Sequence, residues 1–145
     1  MAPRTTAQSV RDVMTGAPLT LEATSTVTEA AKAMAGADVG PIPVIDENGV
    51  LCGLLTDRDI AVRVVAEDRS PSTTKVGDVA SRDLVTLGPD ASVDDAVQAM
   101  RDNALRRIPI VDDGRVVGIV SLGDLARYRD PSSVLADVSS AAPND

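Results

Sequence analysis

Ile42-Pro43-Val44-Ile45-Asp46-Glu47-Asn48-Gly49-Val50-Leu51-Cys52-Gly53-Leu54-Leu55-Thr56-Asp57-Arg58-Asp59 is written a second time in this chain, one residue shorter. The second version is Ile108-Pro109-Ile110-Val111-Asp112-Asp113-Gly114-Arg115-Val116-Val117-Gly118-Ile119-Val120-Ser121-Leu122-Gly123-Asp124. In each copy two short apolar runs are split by Asn48-Gly49 or Asp113-Gly114. Both positions of such a pair tolerate positive φ, which is a strong hairpin signal. The expected strands are Ile42–Ile45 with Val50–Leu55, and Ile108–Val111 with Val116–Val120. Pro43 and Pro109 lack an N–H, so each marks an edge strand or the start of a strand. A helix is expected after each hairpin, from Asp57 to about Ala66 and from Leu122 to about Arg129.

Outward from these stretches the duplication continues. An offset of 66 pairs Asp12-Val13 with Asp78-Val79, Thr20-Leu21 with Thr86-Leu87, Val27 with Val93, Ala30 with Ala96, and Ala33-Met34 with Ala99-Met100. Beyond the turn the offset is 65, matching Gly49, Gly53, Asp59 and Ala61 to Gly114, Gly118, Asp124 and Ala126. Thr26 and Glu29 have capping-box spacing, and Val27, Ala30, Ala31 and Met34 then share one helix face. Ser92 and Asp95, with Val93, Ala96, Val97 and Met100, repeat the pattern. Each unit therefore reads strand, helix, strand, strand, helix. The organisation expected is one repeat over residues 8–66, a polar linker over 67–75 around Ser70-Pro71-Ser72, a second repeat over 76–130, and a polar tail over 131–145 expected to be disordered at its end. A unit of roughly 65 residues with an apolar sheet face is not expected to fold alone.

Composition narrows the function classes. The chain has 145 residues, 43% of them hydrophobic, with no histidine, one cysteine (Cys52) and one aromatic residue, Tyr128. The core must be aliphatic, and histidine-based triads, zinc fingers and internal disulfides are excluded. No activated nucleophile or tuned base can be assembled, so the protein is not expected to be an enzyme. A net charge of −8 without aromatic stacking surfaces disfavours nucleic acid as a partner. No stretch approaches a membrane span, and the opening residues lack a signal-type apolar run, so a cytoplasmic protein is expected. Cys52, within an apolar run, reads as a packed thiol. Asp46-Glu47, Asp94-Asp95 and Asp112-Asp113 read as turn and helix-start acids rather than a metal site.

The chemistry-bearing positions lie where each hairpin meets its helix: Thr56 with Asp59, and Ser121 with Asp124. Two readings stand side by side. Thr/Ser-x-x-Asp is capping-box spacing, and a hydroxyl with a carboxylate suits a helix start. A carboxylate also accepts both hydroxyls of a ribose diol, as in dinucleotide-binding folds. The two roles are compatible. Gly53 and Gly118 would let a ligand approach the backbone.

With these residues in view, Val10–Arg129 resembles a tandem pair of cystathionine-β-synthase (CBS) domains, the Bateman module. The resemblance is carried by Val10-Arg11-Asp12-Val13-Met14-Thr15, by Ile42-Pro43 and Ile108-Pro109, by Asp46-Glu47-Asn48-Gly49, and by the Gly-x-x-Thr/Ser-x-x-Asp endings. Thr56-Asp57-Arg58-Asp59-Ile60 is similar to small stand-alone bacterial CBS pairs of the hypoxic-response type. The fold it implies is α/β (α+β), two β-α-β-β-α repeats packed about a pseudo-two-fold axis with a cleft on either side. The function it implies is a regulatory sensor of an adenosine-containing ligand: AMP, ADP, ATP or S-adenosylmethionine. Thr56 and Asp59, and Ser121 and Asp124, would hold ribose and its neighbouring phosphate. Arg106 and Arg107 would meet phosphate, for which planar guanidinium forks are suited, although exposed arginines are also ordinary surface residues. The first repeat has Gly40-Pro41 in the equivalent places. In relatives the ribose aspartate of one repeat faces the pre-proline segment of the other, which pairs Asp59 with Arg106-Arg107 and Asp124 with Val39-Gly40. Arg58 is an added candidate phosphate contact. A homodimer is implied, with Ile60, Val64 and Val65 as helix positions available to it, and an unknown effector protein as the recipient of the signal. The competing reading is a ligand-free CBS dimerisation or protein-interaction module.

Overall fold

The computed structural model describes residues 9–37 and 41–128. The tail after Tyr128 and the Val39-Gly40 segment lie outside them. In chain order the elements are a 3-10 turn at Val10–Asp12, β1 (Thr15–Gly16), β2 (Leu21–Glu22), α1 (Val27–Ala37), β3 (Ile42–Ile45), β4 (Leu51–Leu55) and α2 (Asp57–Ile60) continued by a π turn (Ala61–Val65). The second half adds α3 (Val76–Val79), α4 (Val93–Asn103), β5 (Arg107–Asp112), β6 (Arg115–Ser121) and α5 (Leu122–Tyr128).

Both hairpins form, and their turns differ at the residue that changes the repeat offset. In the second, Asp113 (φ 54°) and Gly114 (φ 81°) are both left-handed, the two-residue loop expected of Asp-Gly. In the first only Gly49 has positive φ (80°). There the extra residue is absorbed because Asp46 Oδ1 accepts from the Asn48 and Val50 amides at 2.8 and 3.0 Å. The helix expected from Asp57 to Ala66 is not continuous α-helix: Ala66 N–H donates to Ala61 C=O, five residues back. The β-branched Val62, Val64 and Val65 slightly disfavour α-helix, and the wider turn buries Val64 while leaving Val62 and Val65 exposed. Ala31, expected on the inner face of α1, is exposed, whereas the other three face positions of that helix are buried or half-buried.

Pro43 is the second residue of β3, which is the central strand of the sheet β2-β3-β4 rather than an edge. The neighbouring strand β2 pairs only with Val44 and Ile45, so the missing proline N–H falls beyond its end. The other sheet runs β1-β6-β5. Equivalent register slips follow Val44 and Ile110.

The two compact units do not coincide with the two sequence repeats. One is Leu19–Leu84; the other joins the described residues up to Pro18 to those from Val85 onward. Each sheet therefore takes a segment from the other repeat. β1 pairs with β6 through Thr15↔Ile119 and Gly16↔Gly118. Ser81, which follows α3, bridges Leu54 of β4 with 2.9 Å hydrogen bonds in both directions. Repeat equivalence maps one pairing onto the other. The core of the first unit includes Val76, Val79 and Ala80 beside Val27, Ile42, Val44, Leu55 and Val64. That of the second includes Val10 beside Met100, Ile108, Ile110, Val120 and Leu125. Among the described residues, aliphatic side chains and Met100 make up these clusters. The polar segment before α3 is anchored: Thr74 is buried, and Val27 N–H donates to its carbonyl at 2.9 Å.

Gly53 and Gly118 serve this exchange rather than a ligand. A Cβ on Gly53 would lie 3.0 Å from Ala80 Cβ and 3.2 Å from Ser81 O; one on Gly118 would lie 3.0 Å from Thr15 O. The backbone that approaches each glycine is the protein's own.

Candidate functional site

Thr56 sits at the N-cap of α2 with extended backbone (φ −117°, ψ 163°). Its Oγ1 accepts from Asp59 N at 3.0 Å, and Asp59 Oδ2 accepts from Thr56 N at 3.0 Å. The second copy is built alike: Ser121 Oγ accepts from Asp124 N at 3.1 Å, and Asp124 Oδ2 accepts from Ser121 N at 2.9 Å. Both motifs are thus reciprocal capping boxes, which fix the carboxylates and leave Oδ1 of each as the outer oxygen.

Those outer oxygens have neighbours that the motif spacing did not identify. Arg63 Nε is 3.9 Å from Asp59 Oδ1, too far for a hydrogen bond, while its Nη1 donates to Val79 C=O at 3.3 Å. Arg127 Nη2 donates directly to Asp124 Oδ1 at 2.5 Å. The available signal was an arginine four or three residues after the aspartate, a spacing that places side chains on one helix face. The two arginines are not equivalent under the repeat, since Arg127 corresponds to Val62 and Arg63 to Tyr128.

Arg106 and Arg107 stand beside the second motif within their own unit. Arg107 pairs across the hairpin with Ser121, and Arg106 C=O accepts from Leu122 N at 2.9 Å. Among the described residues neither guanidinium has an ion-pair or hydrogen-bond partner, and the same holds for exposed Arg58. Each of these guanidiniums is a planar fork of the kind suited to anions. Gly40, the remaining site position expected from the sequence, lies outside the described residues.

Cys52 is half-buried; burial, then Asp46, pushes its thiol pKa up, which works against a reactive thiolate. The Asp46 carboxylate is committed to its turn, and Asp95 to a capping box with Ser92.

A family model described as the CBS domain matches residues 10–66 and again 76–130. The chain belongs to the CBS-domain family. It is 49% identical over 118 residues to the CBS domain-containing protein YhcV of Bacillus subtilis, covering 81% of this chain and 83% of that protein. It is 32% identical over 120 residues to hypoxic response protein 1 of Mycobacterium tuberculosis, covering 83% and 84%. A crystal structure of hypoxic response protein I with two coordinated zinc ions superposes with a TM-score of 0.77 at 31% identity, over 83% of this chain and 98% of that one. The CBS pair of protein MJ0100, in complex with 5′-methylthioadenosine and S-adenosylmethionine, gives 0.70 at 31% identity, over 82% and 97%. The expected fold class is therefore present: a CBS pair of mixed helix and strand. Zinc does not suit this CBS pair. The ion is ordinarily held by cysteine or histidine, with carboxylate in some sites, whereas this chain has no histidine and one cysteine, and no group of three His, Cys, Asp or Glu side chains among its described residues could hold a metal ion.

Proposed function

We propose that this CBS pair is a non-catalytic regulatory module that binds an adenosine-containing ligand. Asp59 with Thr56 and Asp124 with Ser121 take the ribose, and Arg106, Arg107 and Arg58 take phosphate where the ligand carries it. The observation that carries this reading is the pair of aspartates fixed by capping boxes, each with an outer oxygen, accompanied by arginines that have no ion-pair or hydrogen-bond partner among the described residues. The adenosyl ligands of the MJ0100 pair support the ligand class. AMP, ADP, ATP and S-adenosylmethionine share the ribose diol that the carboxylate reads. No helix among the described residues is long and apolar enough to cross a membrane, and we place the module in the cytoplasm, where it signals through a separate effector protein.

A thermal-shift screen tests the reading. At a ligand concentration a hundred times Kd the folded state gains about 2.7 kcal/mol, which is an increase of several degrees in Tm. AMP, ATP, 5′-methylthioadenosine and S-adenosylmethionine are the probes, and at least one is expected to produce that shift. The capping boxes favour a second reading, a ligand-free interaction module in which both aspartates only start helices. A flat Tm with all four probes selects it.

The proposed assembly is a homodimer. Val62 and Val65, 46% and 67% exposed on the π turn, are the apolar side chains that a partner copy would cover. Of the positions expected from the sequence, Val64 is in the core and Ile60 packs against it, which leaves Val65. Light scattering at micromolar concentration is expected to give about twice the 15.0 kDa of one chain, and Val65→Asp to shift it toward one. A concentration-independent single-chain mass counts against the dimer.

A further inference from the structure

The two motifs share their capping-box geometry and differ in what meets their outer oxygens. Asp124 is 7% exposed, and its Oδ1 receives a direct charge-assisted hydrogen bond from Arg127, whose own side chain is 74% exposed. Asp59 Oδ1 has Arg63 at 3.9 Å, and that guanidinium is turned toward the Val79 carbonyl. Gly123 lies beside the Asp124–Arg127 ion pair. A Cβ on Gly123 would lie 3.8 Å from Arg127 Nη1 and 3.7 Å from Ser121 Oγ, so the guanidinium lies over the bare glycine next to the motif hydroxyl. In the first repeat the position equivalent to Gly123 is Arg58.

We propose that Arg127 is an intramolecular competitor for the ribose diol at Asp124, so that the second motif is latched and the first is open. This rests on the adenosyl reading above and adds the residue that sets the ligand preference of one motif. A diol arriving at Asp124 must displace the Arg127 hydrogen bond or share the oxygen with it. At Asp59 the same diol meets an oxygen with no hydrogen-bonded competitor from Arg63. Arg127 is thus a specificity residue acting through Asp124. Its exposure limits the effect: an ion pair with an exposed partner is worth at most about a five-fold change in affinity.

The experiment has a ligand-free arm and a ligand arm. In the free protein, the Arg127 guanidinium should show restrained rotation by nitrogen-15 NMR, and Asp124→Asn should release it. Adenosine, which carries the diol and no phosphate, is then titrated while the Asp59 and Asp124 amides report each motif separately. Arg127→Ala is expected to tighten adenosine about two- to five-fold at the Asp124 amide, with no such gain for 2′-deoxyadenosine. In the Asp124→Asn background Arg127→Ala should change nothing, as a double-mutant cycle requires. Free rotation of Arg127 in the unliganded protein overturns the latch irrespective of binding. Weaker adenosine binding in Arg127→Ala overturns competition and makes Arg127 a ligand contact. A restrained Arg127 with no response to adenosine, AMP or S-adenosylmethionine in any variant overturns the adenosyl reading instead, and the role assigned to the latch with it.

Discussion

Severed between Thr74 and Lys75, the chain is expected to yield two fragments that do not fold apart, because each loses a backbone partner of its sheet and core side chains that the other carries. The first fragment lacks Val76, Val79 and Ala80, which are buried in the unit formed by Leu19–Leu84. It also lacks Ser81, which bridges Leu54. The second lacks Val10, 0% exposed among Met100, Ile110 and Leu125, and the β1 strand on β6. Burying one valine fully is worth roughly 1.5–3 kcal/mol, and a domain of this size is stable by only about 5–15 kcal/mol. Removing two valines and the bridging Ser81 from one unit takes about 3–6 kcal/mol for the valines alone, a large share of that margin. Amide spectra of Met1–Thr74 and Lys75–Asp145 alone are expected to be poorly dispersed. Mixing them should restore dispersion, since complementation returns each segment to its sheet. Two dispersed, monomeric spectra before mixing would show that the exchanged segments are dispensable. A cut between Pro18 and Leu19 makes a useful contrast: it leaves residues 19–84 intact as a chain segment, and that fragment should retain far more structure.

The duplicated hairpin and the amphipathic helix were legible because they are local. Asn48-Gly49 and Asp113-Gly114 announce turns, and Val93, Ala96, Val97 and Met100 keep helical spacing into the core. The exchange of Val10–Gly16 and Val76–Ser81 was not legible, since the offset says which segments are equivalent and nothing about which sheet each joins. Gly53 and Gly118 were visible as special, yet their cause was this exchange rather than a ligand. The π turn escaped because Ala61 to Val65 has a helical apolar pattern, while the i→i+5 bonding depends on seating Val64. At the candidate site the capping boxes could be read from spacing. The spacing also offered Arg63 and Arg127 as counter-charges, but not which of them bonds its aspartate, since the Val79 carbonyl that takes Arg63 lies outside its helix.

Asp59→Asn is expected to weaken the tighter adenosine-nucleotide site by about ten- to a hundred-fold, and Asp124→Asn to act chiefly on the weaker one. The substitution suits the geometry, since the asparagine amide oxygen still accepts from Thr56 N and the cap survives, while the carboxylate charge facing the ribose is lost. A charged hydrogen bond is worth roughly 1.5–3 kcal/mol, which sets that range of affinity. One feature favours the first motif: among the described residues its outer oxygen has no hydrogen-bonded arginine. Arg107→Ala should weaken AMP and ATP more than adenosine, because only a phosphate contact is removed. Calorimetry of the three ligands against the wild type and these variants separates the contributions, with Tm of each unliganded variant confirming that the cap is intact. A greater loss from Asp124→Asn than from Asp59→Asn reverses the ranking of the two motifs. An equal loss for adenosine and AMP in Arg107→Ala removes that residue from phosphate binding, leaving the nucleotide's charge to Arg106 or Arg58.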